Sequence, residues 1–320
     1  MTTTPRIAFV FPGQGAQAVG MGKDLAEQFS TAREVFETFD KVTELDLSNV
    51  VFDGPKETLT QTLYTQPGIL AASIAAFQVF VEQTDLQPTV SAGHSLGEYG
   101  ALYAAGVITM EQSAQLIKQR ATLMSDAPAG AMAAVLGMNA TAVNEVIETY
   151  KTNHPDAKIC VANDNSPAQQ VISGDKDAVD ALIPLIKEAG AKRVIPLAVS
   201  GAFHSPLMTP AAEQFAEFVS EFEFQSAQFP VITNVDAALT TEADAFKTKL
   251  GQQINHSVRW TQTMATMIED AGINTVIEFG PGTVLTGLMK KFNRDVAIYN
   301  ISCSESLTAT INALKEPVGV

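Results

Sequence analysis

The sequence predicts an α/β fold in two parts: a large domain built on a parallel sheet, and a small domain inserted into it. Short apolar runs alternate with helical stretches over most of the chain, which is typical of α/β folds. Several of these runs end at glycine or at proline with glycine, and open α/β sheets place their functional sites at such turns. The middle of the chain has the order β-α-β-β-α-β, which predicts a ferredoxin-like unit.

The large domain is predicted to comprise residues 1–128 and 200–320. Its candidate core strands are mostly apolar rather than alternating, as expected for parallel strands covered on both faces. They are residues 7–11, 89–92, 231–234 and 276–279. The apolar stretch 68–81 is too short to cross a bilayer and predicts a buried helix, with Pro67 in its first turn.

The small domain is predicted to comprise residues 129–199. Its predicted strands are 131–136, 159–162, 170–173 and 193–199, and its predicted helices are 141–150 and 177–189. The polar segment 163–167 carries turn-forming residues and predicts the turn between the second and third strands.

Composition and charge restrict the class of protein. The 320 residues carry a formal net charge of −15, which argues against a nucleic-acid partner because phosphates require a basic surface. Cys160 and Cys303 are too few for a disulfide framework, so a reduced cytoplasmic setting is expected. Each is either a small buried hydrophobe or a thiol nucleophile. No secretory signal, membrane span or membrane partner is expected.

The leading candidate for a catalytic residue is a serine in a glycine-rich turn. Residues 93–97, Gly-His-Ser-Leu-Gly, match the pattern G-x-S-x-G, with an apolar strand before them and a helix-prone run after them. This context predicts a nucleophile elbow and an α/β-hydrolase-like large domain. A tight turn exposes the hydroxyl of Ser95, and the helix N-terminus and the N–H of Leu96 face a developing oxyanion.

A serine nucleophile needs a base, and the histidines are the candidates. His94 adjoins the serine, and neighbours on a tight elbow usually point apart. His154 and His256 lie in polar segments. His204 lies in a loop after a predicted strand, so it is either the base or a surface or structural residue.

Arg120 lies on a predicted helix that begins at a capping box, Thr109 to Gln112. Its neighbours three and four residues away are all apolar: Leu116, Ile117, Leu123 and Met124. The guanidinium therefore faces the interior, where an unpaired charge is costly. It is either part of a structural ion pair, a side chain that reaches solvent, or the binding group for a substrate carboxylate.

These motifs belong to a series spread over nearly the whole chain. The series comprises residues 11–15, 65–67, 93–98, 119–120, 163–167, 171–174, 201–205 and 276–282. Each motif is weak by itself. Their joint occurrence in this order resembles the malonyl-CoA:acyl carrier protein transacylases of fatty acid synthesis, which are related to the acyltransferase domains of polyketide synthases.

The resemblance implies a role for each matching position. Ser95 is the nucleophile and His204 the base. Arg120 pairs with the malonyl carboxylate. The backbone N–H groups of Gln14 and Leu96 form the oxyanion hole.

Three more residues complete the implied substrate site. The backbone carbonyl of Gln253 orients His204, in place of the acid of a hydrolase triad. Phe203, directly before the histidine, resembles the malonyl-selective members. Met124, an apolar neighbour of Arg120, is expected to help hold the acyl group in a dry pocket.

The implied reaction is a two-step transfer of malonyl from malonyl-CoA to the phosphopantetheine thiol of acyl carrier protein. No metal or other cofactor is expected, and the protein is expected to be a monomer. Carrier protein is typically acidic, like this chain, so a local basic patch is expected to dock it. The candidates are Lys290, Lys291 and Arg294, or Lys192 and Arg193.

Three alternatives stay open at this point. A serine esterase or thioesterase of the α/β-hydrolase type would place an Asp or Glu between Ser95 and His204 in chain order. A transacylase with another short-acyl preference, such as acetyl, would not need Arg120. A carrier-binding subunit without activity would not need any of these three side chains.

Overall fold

The structure is a computed structural model that describes residues 5–199 and 201–315. Its strands are β1 (Ile7–Phe11), β2 (Val90–Gly93), β3 (Ala131–Leu136), β4 (Ile159–Ser166), β5 (Gln169–Gly174), β6 (Arg193–Pro196), β7 (Val231–Ile232), β8 (Leu239–Thr240), β9 (Thr275–Phe279) and β10 (Ala297–Ile301). Its helices are α1 (Lys23–Gln28), α2 (Ser30–Thr43), α3 (Leu47–Asp53), α4 (Lys56–Leu59), α5 (Thr62–Gln83), α6 (Gly97–Ala104), α7 (Met110–Ser125), α8 (Ala140–Asn153), α9 (Lys176–Glu188), α10 (Thr209–Ser220), α11 (Ala243–Gln253), α12 (Trp260–Ala265), α13 (Val284–Phe292) and α14 (Ser304–Lys315). A 3-10 turn, Pro206–Met208, precedes α10, and a π-helical turn, Thr266–Asp270, follows α12.

The larger sheet has six strands in the order β10-β9-β1-β2-β7-β8. All neighbours pair in parallel except β8, which is antiparallel to β7. The predicted parallel strands are therefore confirmed, although β7 is shorter than predicted, and β8 and β10 were not predicted. In register, Phe11 of β1 pairs with Gly93 of β2, and Val10 pairs with Glu278 of β9. The carboxyl ends of these strands thus meet at one edge of the sheet.

The second sheet is separate and wholly antiparallel, in the order β4-β5-β3-β6. Helices α8 and α9 pack on it and form a core with its apolar side chains, Val135, Ile159 and Ile172 among them. The element order β-α-β-β-α-β is the predicted one. Of the two predicted boundaries between the parts, the second falls at Ser200, which lies outside the described residues.

The polar segment 163–167 is not the turn that the sequence predicts. Strand β4 continues to Ser166, and residues 163–166 are all buried. Two register irregularities in the β4–β5 pairing accommodate the segment, and partners outside this sheet bind the side chains of Asp164 and Asn165. Asp164, for example, accepts hydrogen bonds from Thr261 and Gln262. Strand β6 is shorter than predicted and ends at Pro196.

The central helix of the large part is α5, which is 22 residues long and largely buried. Pro67 lies inside this helix rather than in its first turn, because the helix begins five residues earlier, at Thr62. By length and hydropathy α5 could also cross a membrane, but 83% of its most apolar window is buried within the protein. It packs against α2, α6 and α7, as a core helix does.

Candidate active site

The elbow predicted around Ser95 is present between β2 and α6. Ser95 has a φ of 53°, a left-handed backbone conformation that residues other than glycine rarely adopt. A Cβ on Gly93 would lie 1.9 Å from the backbone of Gly97, and one on Gly97 would lie 2.1 Å from the carbonyl oxygen of Phe11. Gly93 is therefore required for the tight turn itself, and Gly97 for the packing of the elbow against β1.

His204 lies beside the serine, with 2.8 Å between His204 Nε2 and Ser95 Oγ. On the other side of the ring, His204 Nδ1 lies 2.9 Å from the carbonyl oxygen of Gln253 and 3.1 Å from that of His256. A carbonyl oxygen only accepts, so Nδ1 must carry a proton. In the neutral ring Nε2 is then an acceptor, and the Ser95 hydroxyl donates to it.

Burial and the positive charge of Arg120 lower the pKa of His204 to about 3. The ring is therefore neutral at ordinary pH and can take a proton from the serine. The partners of Nδ1 are backbone carbonyls, whereas a triad hydrolase has a carboxylate in that position.

Arg120 on α7 is fully buried, as the spacing of its neighbours predicts. Its Nη1 donates to Gln66 Oε1 over 2.7 Å, and its Nη2 donates to Ser95 Oγ over 2.9 Å and to Gln253 Oε1 over 3.1 Å. All three partner atoms are neutral oxygens. Among the described residues Arg120 Nε has no hydrogen-bond partner, so the guanidinium retains donor capacity for an anion.

A cavity of about 260 Å³ opens onto the serine between the two sheets. Gln14, Ser95, Met124, Phe203 and His204 contribute to its wall from the large part. Other residues of its wall are Met132, Asn163 and Val171 of the antiparallel sheet, Leu197 directly after β6, and Leu285 and Leu288 of α13. Larger surface grooves of about 500–610 Å³ lie elsewhere, but none of them contains the serine.

The two residues whose backbone N–H groups were predicted to form the oxyanion hole are Gln14, far before the serine in the chain, and Leu96, directly after it. Gln14 follows β1 and lines the cavity, and Leu96 is buried at the N-terminus of α6. Within the described part of the chain, neither backbone N–H is used in a hydrogen bond. Both amides thus retain an unused donor.

The rings of the other three histidines contact residues other than Ser95. His94 lines the same cavity as Ser95, and its Nε2 lies 2.7 Å from Asn165 Oδ1. His154 is exposed and stacks on Tyr150. His256 is exposed, but its carbonyl contacts His204, a role that the sequence did not indicate.

Sequence reasoning missed a buried polar network beneath the elbow. Asn234 accepts from the Ser95 backbone N–H over 2.7 Å and donates to the Gly93 carbonyl over 2.7 Å. Glu98, 1% exposed, accepts from the Asn234 N–H over 3.0 Å and from Gln253 Nε2 over 2.8 Å. A carboxylate within the otherwise apolar start of α6 was the available signal.

The comparisons with known proteins cover nearly the whole chain. A family described as "Acyl transferase domain" matches residues 8–307. The chain is 44% identical to the malonyl CoA-acyl carrier protein transacylase of Bacillus subtilis over 314 residues, which are 97% of this chain and 98% of the relative.

Solved structures agree with the sequence comparison. The acyl carrier protein S-malonyltransferase of Vibrio cholerae superimposes with a TM-score of 0.91 at 43% identity, over 95% of this chain and 99% of that one. A malonyl-transacylase solved in complex with its type II PKS acyl-carrier protein superimposes with a TM-score of 0.91 at 38% identity, over 96% and 99% of the two chains.

Proposed function

The chain belongs to the malonyl-CoA:acyl carrier protein transacylases, and from that membership we propose that it carries the malonyl group as an ester on Ser95. It is an acyltransferase whose substrates are malonyl-CoA and acyl carrier protein. The observation that carries the proposed chemistry is the convergence of His204 Nε2 and Arg120 Nη2 on Ser95 Oγ, at 2.8 and 2.9 Å.

In the loading step, His204 takes the hydroxyl proton while Ser95 Oγ attacks the thioester carbonyl of malonyl-CoA. The C–O bond forms, and the carbonyl becomes an oxyanion that the N–H groups of Gln14 and Leu96 stabilise. The carbonyl then re-forms, the C–S bond breaks, and the coenzyme A thiolate takes the proton from His204. The carbonyls of Gln253 and His256 hold the imidazolium in place.

In this proposal Arg120 selects the acyl group by binding its carboxylate. The neutral partners of the guanidinium leave its charge without a directly bonded counter-ion, and a malonyl carboxylate supplies one. Met124 and Phe203 line the apolar part of the cavity and keep water from the ester.

In the transfer step the phosphopantetheine thiol of the carrier protein gives its proton to His204 and attacks the Ser95 ester. The new C–S bond forms, the C–O bond breaks, and Ser95 recovers its proton. Because a thioester is already an activated acyl donor, the reaction as written uses no cofactor. We place it in the cytoplasm and expect a monomer.

The architecture supports finer descriptions of the two parts. The parallel sheet with its elbow fits an α/β-hydrolase-like domain comprising residues 1–128 and 200–320. The strand order β4-β5-β3-β6 fits a ferredoxin-like domain comprising residues 129–199.

The test is to incubate the protein with radiolabelled malonyl-CoA and map the label by peptide mass spectrometry. We expect a malonyl ester on Ser95, absent from Ser95→Ala, which passes to carrier protein faster than to water. A labelled serine that releases free malonate at the same rate with and without carrier would instead identify a hydrolase. No label on Ser95 would overturn the proposal.

A further inference from the structure

Glu98 is a buried acid that the proposed reaction does not use. It lies on α6, three residues after the nucleophile, and is 1% exposed. Its Oε2 accepts hydrogen bonds from the Asn234 N–H and from Gln253 Nε2. Neither donor is a cation, so within the described ranges the carboxylate has no directly bonded counter-ion.

The side chain of Gln253 connects this acid to the arginine of the site. Gln253 Nε2 donates to Glu98 Oε2 over 2.8 Å and to the Ser95 carbonyl over 3.1 Å, while Gln253 Oε1 accepts from Arg120 Nη2 over 3.1 Å. The amide cannot be reversed, because the Ser95 carbonyl only accepts and the guanidinium only donates. One buried amide therefore separates a carboxylate from a guanidinium.

We propose that Glu98 is a positioning residue for malonyl recognition: it orients Gln253 against Arg120 and, as the nearest buried counter-charge, sets how strongly Arg120 attracts the substrate carboxylate. This inference rests on the proposed role of Arg120. The malonyl carboxylate and Glu98 then compete for one positive charge. Ionised Glu98 weakens malonyl binding, and protonated Glu98 strengthens it.

The surroundings of Glu98 make this competition sensitive to pH. Burial raises its pKa to about 7, in spite of the hydrogen bonds from Gln253 and Asn234. The charged and titratable groups that face it are Arg120 on α7, Tyr99 on its own helix and Lys249 on α11. Lys249 is already paired with Asp236 at 2.8 Å, and burial raises the pKa of Tyr99 so that it stays neutral. Arg120 is thus the unpaired charge that senses Glu98.

The direction of the pH effect follows from the thermodynamic linkage between malonyl binding and the protonation of Glu98. If protonated Glu98 favours malonyl binding, malonyl binding must raise the pKa of Glu98 and take up protons near neutral pH. Malonyl affinity therefore falls as the pH rises through 7. An acyl group without a carboxylate has no such dependence, since it does not draw on the charge of Arg120.

The experiment compares Glu98→Gln with the parent enzyme at pH 6 and pH 8, in a Ser95→Ala background so that binding is measured without turnover. Glutamine keeps an acceptor oxygen for Gln253 and Asn234 but removes the charge. We expect the Kd of malonyl-CoA to be about fivefold lower than in the parent at pH 8, and equal to it at pH 6. The Kd of acetyl-CoA, which carries the same coenzyme, should not change. Glu145→Gln, an exposed site on α8, is the control for net charge.

Equal changes for malonyl-CoA and acetyl-CoA, or no change at pH 8, would overturn the inference. If Glu98→Gln does not fold, calorimetry of the Ser95→Ala protein in two buffers of different ionisation enthalpy still tests it. At pH 7 we expect malonyl-CoA to take up about 0.4 proton more than acetyl-CoA does, and zero difference would reject it. The proposed function fails separately, if wild-type protein forms no malonyl ester on Ser95.

Discussion

Arg120 Nη2 donates a hydrogen bond to the hydroxyl oxygen of Ser95 over 2.9 Å, while His204 Nε2 lies 2.8 Å from the same oxygen. In the free protein the serine therefore accepts from a cation and donates to a neutral base. A substrate carboxylate that reaches Arg120 competes with Ser95 for the same guanidinium. In the proposed mechanism, carboxylate recognition and the hydrogen bonding of the nucleophile are thus linked through one side chain.

Replacing Arg120 separates acyl selection from acyl transfer. In Arg120→Ala we expect kcat/KM for malonyl loading to fall about 100-fold, because a charge-assisted bidentate interaction is lost. Acetyl loading should persist or rise, since acetyl has no carboxylate to bind. Stopped-flow loading with the two acyl-CoAs measures both, and an equal loss for both would contradict the carboxylate role.

The pH dependence of loading reports on His204. Because its pKa is lowered to about 3, the neutral ring that acts as base persists as the pH falls through 6.5, where a free histidine would become protonated. At saturating malonyl-CoA we expect the loading rate to change less than about twofold between pH 7.5 and 5.5. A tenfold loss centred on pH 6.5 would show that His204 titrates like an exposed histidine.

The elbow glycines should tolerate no side chain. In Gly97→Ala the new Cβ meets the Phe11 carbonyl oxygen at 2.1 Å, so we expect a loss of unfolding free energy of about 3 kcal/mol or more. Gly287→Ala is the matched control, because its Cβ has no neighbour within 4 Å and it lies inside α13. That change should stabilise the protein by about 0.5–1 kcal/mol. Urea denaturation measures the unfolding free energy of both variants. Similar changes in the two would refute the packing argument.

A basic patch beside the cavity should dock the carrier protein. Helix α13 contributes Leu285 and Leu288 to the cavity wall, and Lys290 and Lys291 are exposed in its last turn. Reversing both lysines to glutamate should raise KM for the carrier about tenfold and leave malonyl-CoA loading unchanged. Lys41→Glu with Lys56→Glu, on helices α2 and α4, controls for net charge. Unchanged transfer kinetics would exclude this surface.

Local signals in the sequence were sufficient to predict the elbow, the burial of Arg120 and most of the helices and strands. Glycines at 93 and 97 around Ser95, between an apolar strand and a helix-prone run, specify a tight turn from neighbouring residues alone. The spacing of apolar side chains around Arg120 likewise places it inside, because positions three and four residues apart share one helix face.

The remaining features of the fold and the site depend on contacts between residues that are distant in the chain. Residues 163–166 have turn-forming side chains, yet they form a buried strand, because Thr261, Gln262 and His94 bind two of those side chains. The bonds of Glu98 to Asn234 and Gln253 join residues 136 and 155 positions apart. No local pattern encodes such pairs, because only the packed fold removes the water that would otherwise satisfy these polar groups. The sequence by itself predicted which serine, histidine and arginine carry the proposed chemistry, and tertiary structure decided which buried groups set their charge and orientation.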